Sequence, residues 1–233
     1  MAIYSSIVTF FQNGGAFMYP IVLILALGTA IAVERWMFLT MTMAKNKALW
    51  NAVTPFLKSG NLTGAMGVTS KSNAAIAQIM TYGLNRVRSA RRREDIEQAM
   101  EESLMEILPR LEKRTHYLAT FANMSTLAGL LGTIIGLIHA FTAVSNADPA
   151  DKAELLSASI SIGMNCTAFG LMVAIPLVLI HSLLQTKTTE IIDSLEMASV
   201  KFLNAITERA TEGTPAPAVA GAAPAGARRE EEI

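Results

Sequence analysis

The sequence predicts an all-α integral membrane protein with three transmembrane helices and long helices that extend into the cytoplasm. Of the 233 residues, 52% are hydrophobic and only 16% are charged, whereas soluble domains carry about 25% charged residues. No Asp, Glu, Lys or Arg precedes Glu34, and none occurs within residues 115–147 or 155–186. A transmembrane helix needs about 20 apolar residues. The rest of the chain is too polar to bury three such helices in a soluble core.

The N-terminal part predicts a short lead followed by the first transmembrane helix. We expect residues 1–15 to form a periplasmic or interfacial lead and residues 16–38 to form the first span. Glu34 and Arg35 close this span with charge, as expected at a headgroup boundary. No basic segment precedes the apolar run, so it is not read as a cleaved signal peptide.

Residues 39–115 predict a cytoplasmic helical region. Pro55 and the glycine-containing stretch 59–67 indicate turns between short helices. From Glu94 onward, apolar residues recur at helical spacing, and no turn signal precedes the second span. We therefore expect one continuous helix from the cytoplasm into the membrane, with Pro109 as the place where it could kink.

Residues 116–186 predict a hairpin of transmembrane helices 2 and 3, with its turn near Asp148 and Pro149. An amphipathic cytoplasmic helix is expected over 187–211. The tail, 212–233, is rich in Ala, Pro and Gly and is expected to be disordered.

The distribution of Lys and Arg predicts the orientation in the membrane. None precedes Arg35, twelve lie between Lys45 and Arg114, one lies in the hairpin turn, and five occur from Lys187 onward. Because basic residues concentrate on the cytoplasmic side, the N-terminus is expected outside and the C-terminus in the cytoplasm.

Two threonines within the hairpin suggest an ion path. Thr133 and Thr167 are almost equally far from the turn, and both are expected about 25 Å from it at 1.5 Å of rise per residue. Each lies on a stripe of small residues, which permits close approach of membrane helices. The stripes are Thr126, Gly129, Thr133, Gly136 and Ala140, and then Gly163, Thr167, Gly170 and Ala174.

The stripes allow two interpretations, pore lining and helix packing. As pore-lining candidates we take Thr133, Thr167, Gly136, Gly163, Gly170 and Ala174. As packing or kink candidates we take Gly129, Gly132, Asn165 and Pro176. Asn165 points away from the stripe and could hydrogen-bond to a neighbouring helix, and Pro176 should bend the third span.

Neither span of the hairpin contains an Asp, Glu, Lys or Arg. His139 and His181 lie near the ends of their spans and are expected to meet interfacial water. Intramembrane ionisable residues usually mark proton relays. If the chain takes part in ion translocation, a partner must therefore supply a carboxylate.

Motifs of soluble enzymes do not occur in the sequence, which has no P-loop, metal-spaced cluster, nucleophile elbow or dinucleotide fingerprint. We therefore predict no enzyme activity, no catalytic or metal-ligating residue and no cofactor. The Arg91–Arg93 cluster precedes Glu94 and Asp95 directly, so nucleic-acid binding is not expected. Cys166 is the single cysteine, so no intrachain disulfide can form.

Two hairpin segments resemble a known family. Gly-Leu-Leu-Gly-Thr-Ile-Ile-Gly-Leu-Ile at 129–138 and Thr-Ala-Phe-Gly-Leu-Met-Val-Ala-Ile-Pro at 167–176 resemble the signature of MotA/TolQ/ExbB ion channels. Further similarity lies at 14–20, Glu34-Arg35 and 108–112. Three spans with an outside N-terminus resemble the ExbB/TolQ branch, since the MotA branch has four.

The resemblance implies a homopentamer in the bacterial inner membrane around two copies of a single-span ExbD/TolR-like partner that carries a membrane Asp. It also implies that Thr133 and Thr167 line the pore and that H⁺ or Na⁺ flow drives work at the cell envelope. One position departs from the family pattern, because Ile162 stands where ExbB-type proteins commonly have Glu. The alternative to an ion-driven motor subunit is a non-conducting membrane scaffold, in which the stripes only pack helices.

Overall fold

The structure of the protein, a computed structural model, describes residues 10–11, 14–87 and 92–212, without the side chains of 146 and 208–212. Most of the predicted N-terminal lead, Arg91 and nearly all of the predicted tail therefore lie outside the described residues. Besides the helical residues 10–11, six helices account for the regular structure of the described part, and the all-α prediction is confirmed. They are α1 (Met18–Ser59), α2 (Leu62–Thr69), α3 (Ala75–Val87), α4 (Arg93–Glu112), α5 (Thr115–Asn146) and α6 (Lys152–Glu212).

Three of these helices, α1, α5 and α6, are long and apolar enough to cross a membrane. Large apolar side chains are exposed along all three, among them Leu23, Leu127 and Ile175. An exposed apolar surface of this extent marks contact with lipid or with other protein. The prediction of three membrane-spanning helices is confirmed in length and composition.

Helices α1 and α6 are much longer than a bilayer requires. With 42 and 61 residues, they measure about 63 and 92 Å at 1.5 Å per residue, against ~30 Å of hydrocarbon. The third span and the predicted C-terminal helix are one uninterrupted helix, α6. Both long helices therefore reach well beyond the apolar layer.

The polar ends of the long helices form a small bundle with α3 and α4. Its core includes Met80, Met100 and Phe202, all fully or almost fully buried. The Arg93 guanidinium donates a hydrogen bond to Asn204 Oδ1 at 2.7 Å, which joins α4 to α6. The polar ends of the long helices thus share a hydrophobic core with α3 and α4.

Two of the turns expected in residues 55–67 are wrong. Pro55 lies inside α1, which is held by the burial of Val53 and Leu57 on either side of it. Gly64 lies inside α2, where a Cβ would be only 2.7 Å from the Phe56 ring, so the glycine permits close packing. The turn at Gly60 is confirmed, since this residue has φ 75° and caps α1.

The prediction of one continuous helix from Glu94 into the second span is also wrong. Pro109 lies inside α4, and the chain breaks four to five residues later, where Arg114 adopts φ 66°. Two tertiary contacts lie at the break. The Arg114 guanidinium meets both carboxylate oxygens of Glu34 at 2.8 Å, and Arg35 donates to the carbonyl oxygen of Leu111 at the end of α4.

We expect Arg35→Ala to destabilise the protein far more than Arg114→Ala. Arg35 is 3% exposed, and its loss would leave a cavity and an unpaired carbonyl at the α4 end, at a cost of about 2–4 kcal/mol. The Arg114–Glu34 pair is about half exposed, and such pairs contribute ~0–1 kcal/mol. Thermal unfolding of both variants in detergent, followed by tryptophan fluorescence, measures the difference. Equal melting temperatures would contradict a structural role for Arg35.

Candidate functional site

The most extensive contact in the structure joins α5 to α6 through facing glycines. We call Gly129, Gly136, Gly163 and Gly170 the glycine interface. A Cβ built on Gly163 would lie 2.9 Å from Thr133 Cα, and one on Gly170 would lie 2.7 Å from the Ser125 carbonyl oxygen. Only glycine permits this approach, which brings the two backbones into direct contact.

The glycine interface brings the two threonines together. Thr133 Oγ1 and Thr167 Oγ1 are 3.5 Å apart, although 34 residues separate them in the sequence. Both side chains are half-buried, at the edge of the helix contact rather than at its centre. The two hydroxyls therefore lie at one level of the hairpin, as their equal distances from the turn predicted.

The hydrogen bonds of the two hydroxyls determine what they can bind. Thr133 Oγ1 donates to the Leu130 carbonyl at 2.6 Å, and Thr167 Oγ1 donates to the Gly129 carbonyl at 2.9 Å. A hydroxyl has one proton to donate and two lone pairs that accept. In this arrangement the oxygens offer acceptors, which suits a cation or a protonated carboxylic acid. A carboxylate would require at least one hydroxyl to turn its proton away from the backbone.

The remaining pore-lining candidates lie in the contact between the helices. Gly136, Gly163, Gly170 and Ala174 are all buried within the chain. The glycines among them face the backbone of the neighbouring helix, and this gives them a packing role within the chain. Their assignment to a pore lining stays a prediction.

The packing candidates differ in their surroundings. Gly129 and Gly132 are buried, and a Cβ on Gly132 would meet Cys166 Sγ. Asn165 is half-buried, and its bond to a neighbouring helix stays a prediction. Pro176 lies inside α6, where the bend expected from its missing N–H also stays a prediction. Thr126, on the α5 stripe, is exposed and donates to the Ala122 carbonyl.

Sequence reasoning missed the buried polar link between the two helices. Ser125 is fully buried, and its Oγ donates to the Gly170 carbonyl at 2.9 Å. The signal was available, because Ser125 lies four residues before Gly129 and so on the same helical face. The bond fixes α5 against α6 on the side of the threonine pair nearer to the N-terminus of α5.

A polar cleft lies further along the same two helices. It measures about 470 Å³, and Thr115, His116 and His181 are among the residues that line it. His181 was expected near water at the inner end of its span, and it is half-buried there beside His116. His139, near the other end of the hairpin, is exposed.

Comparisons with known proteins match a part of the chain that includes the α5–α6 hairpin. The sequence profile of the MotA/TolQ/ExbB proton channel family matches residues 71–197, more than half of the chain. A relative from Methanothermobacter thermautotrophicus, named as a homolog of the biopolymer transport protein ExbB, is 26% identical over 196 residues. These residues cover 83% of this chain and 68% of that protein.

Two shorter matches concern relatives named for different systems. The Tol-Pal system protein TolQ of Haemophilus influenzae is 38% identical over 81 residues, or 35% of each chain. The biopolymer transport protein ExbB of Aquifex aeolicus is 31% identical over 80 residues, which are 34% of this chain and 53% of that protein. The matches thus span about a third and about half of these relatives. With its profile match, its three long apolar helices and its ExbB and TolQ relatives, the chain belongs to the ExbB/TolQ-like branch of the MotA/TolQ/ExbB proton channel family.

Proposed function

We propose that the chain is the pore-forming stator subunit of an ion-driven inner-membrane motor. With an ExbD/TolR-like partner it converts ion-motive force into mechanical work at the cell envelope, and TonB-type transport is the process we favour. The observation that carries the proposal is the threonine pair, whose oxygens lie 3.5 Å apart in the apolar hairpin. Both hydroxyls keep lone pairs for an incoming ion or acid.

The motor requires a partner because the two spans of the hairpin have no charged side chain that could hold an ion. Residues 115–147 and 155–186 contain no acidic or basic side chain, so an external group must hold the ion at mid-membrane. A membrane Asp on a single-span partner supplies that group. In its protonated form the Asp can donate to the threonine oxygens, whereas its charged form cannot do so.

The proposed assembly is a homopentamer around two partner helices in the bacterial inner membrane. The N-terminus is periplasmic and the C-terminus cytoplasmic, in agreement with the basic residues between the first two spans. Exposed apolar side chains on α5, such as Leu127, Ile134 and Phe141, provide surface for lipid and for neighbouring subunits. The translocated ion is H⁺ or Na⁺, because a hydroxyl oxygen can accept a hydrogen bond from a proton carrier and can also coordinate a hard cation.

The test begins with co-expression of the chain and a neighbouring gene product that has one span with an Asp. We expect the two proteins to co-purify and envelope work to depend on the membrane ion gradient. Assays with and without sodium then identify the ion. A chain that purifies without such a partner, and works without a gradient, would refute the motor.

A non-conducting scaffold is the second candidate, and the glycine interface is the observation that favours it. Close packing of α5 on α6 explains the small-residue stripes without any pore. Close packing does not explain why the Thr133 and Thr167 hydroxyls lie at one level and keep lone pairs that can accept a hydrogen bond. Within the motor interpretation, Tol-like envelope maintenance and motility are alternatives to TonB-type transport, and the phenotype of a gene deletion separates them.

A further inference from the structure

A cleft of about 210 Å³ lies between α1, α3 and α4, away from the threonine pair. Phe38, Thr42 and Lys45 line it from α1, Gln78 from α3, and Arg110 and Leu111 from α4. No acidic residue is among the side chains that line this cleft. Its polar groups are therefore donors, hydroxyls and amides, and its charges are positive.

The cleft opens where the apolar surface of α1 ends. Phe38, Met41 and Met43 are each at least 40% exposed, and Lys45 is the first basic residue after Arg35. Lys187 of α6 lies 3.9 Å from the centre of the Trp36 ring, an arrangement typical of the headgroup level. The cleft is thus at the cytoplasmic boundary of the membrane.

A buried cation lies behind one wall of the cleft. The Arg35 guanidinium is 4.8 Å from the centre of the Phe38 ring and donates to the Leu111 carbonyl, so it touches two residues that line the cleft. Arg35 is 3% exposed, and its Nε is buried without a hydrogen-bond partner. The adjacent Glu34 carboxylate is engaged by Arg114. Buried charges are normally paired, and among the described residues no carboxylate forms an ion pair with Arg35.

A second unsatisfied donor lies beside the same cleft. Asn46 follows Lys45 and is 5% exposed. Its Oδ1 accepts from the Ile76 backbone N–H in the first turn of α3 at 3.3 Å, while its Nδ2 is buried without a partner. The N-terminus of α3 adds a partial positive charge to this side. Arg110 has an exposed contact with Glu106 at 3.4 Å, which leaves most of its five donors available.

We propose that this cleft binds the phosphate group of an anionic phospholipid from the cytoplasmic leaflet. Lys45 and Arg110 contact the phosphate oxygens, and the acyl chains pass the exposed Phe38 toward the apolar surface of α1 that precedes Trp36. Basic pockets between membrane helices on the cytoplasmic side bind anionic headgroups in this way. The proposal rests on the membrane location and orientation given under the proposed function, and it is independent of ion translocation.

The test uses the full-length chain purified in detergent and titrated with phosphatidylglycerol or phosphatidylcholine in native mass spectrometry. We expect the unmodified chain to bind phosphatidylglycerol more tightly. The double variant Lys45→Gln/Arg110→Gln should lose this affinity by at least about tenfold. The matched control Lys47→Gln/Lys201→Gln removes the same charge at exposed positions outside the cleft and should bind like the unmodified chain.

Three results would overturn the proposal. Equal affinity for both lipids would show that the headgroup charge is not recognised. Unchanged phosphatidylglycerol binding by Lys45→Gln/Arg110→Gln, in a variant that melts like the unmodified chain, would place the lipid elsewhere. Displacement of the lipid by millimolar inorganic phosphate would identify a free anion as the ligand.

Discussion

Replacing Thr133 or Thr167 with valine is expected to abolish ion-driven work while the subunits still assemble. Valine has nearly the shape of threonine but no hydroxyl, so the glycine interface keeps its packing and the ion loses one of two acceptors. An ion or acid left unsatisfied in the apolar layer costs about 3 kcal/mol. This corresponds to a rate loss of about 100-fold.

The measurement is gradient-dependent envelope activity in cells, together with the amount of assembled complex on native gels. Thr142→Val is the matched control, because Thr142 is an exposed threonine of the same helix whose hydroxyl donates to its own helix carbonyl at Ile138. It should retain activity. Normal work in both the Thr133→Val and the Thr167→Val strains would contradict the role of the pair.

Adding a single methyl group to the glycine interface is expected to separate α5 from α6. In Gly163→Ala the new Cβ would lie 2.9 Å from Thr133 Cα, a backbone atom that cannot rotate away. Overpacking of this kind costs about 1–3 kcal/mol. Because the displaced residue is Thr133 itself, the distance between the two hydroxyls should grow and activity should fall as well.

Thermal unfolding in detergent measures this effect, and Gly67→Ala is the control. Gly67 lies in the helix α2 with nothing within 4 Å of its Cβ direction, so alanine should be neutral or stabilise by up to about 1 kcal/mol. If Gly163→Ala melted like Gly67→Ala, the two helices would not be in the close contact described above.

The spans and the threonine pair could be predicted because they depend on local, periodic features. Three charge-free stretches and a fixed rise per residue are enough to place Thr133 opposite Thr167. The facing glycines follow from the same helical period. Periodicity could not assign the direction that each stripe faces. The structure places the facing glycines of α5 and α6 against each other's backbones.

The break at Arg114 could not be predicted, because the residues in contact with it lie far away in the sequence. No Gly or Asn marks the left-handed residue, and Arg114 is held by Glu34, 80 residues earlier. Arg35 likewise appeared as a charge that closes a span, whereas it is buried and hydrogen-bonded across 76 residues. Helix ends stabilised by tertiary contacts lack the local turn signals on which sequence reasoning depends.

Ion flux into liposomes tests the central claim most directly. The complex of chain and partner is reconstituted with the unmodified chain, with Thr133→Ser and with Thr133→Val, and flux is followed under an imposed H⁺ or Na⁺ gradient. We predict flux with threonine or serine, which keep the hydroxyl oxygen, and almost none with valine. Equal flux through the serine and valine variants would contradict an ion path that depends on the threonine hydroxyls.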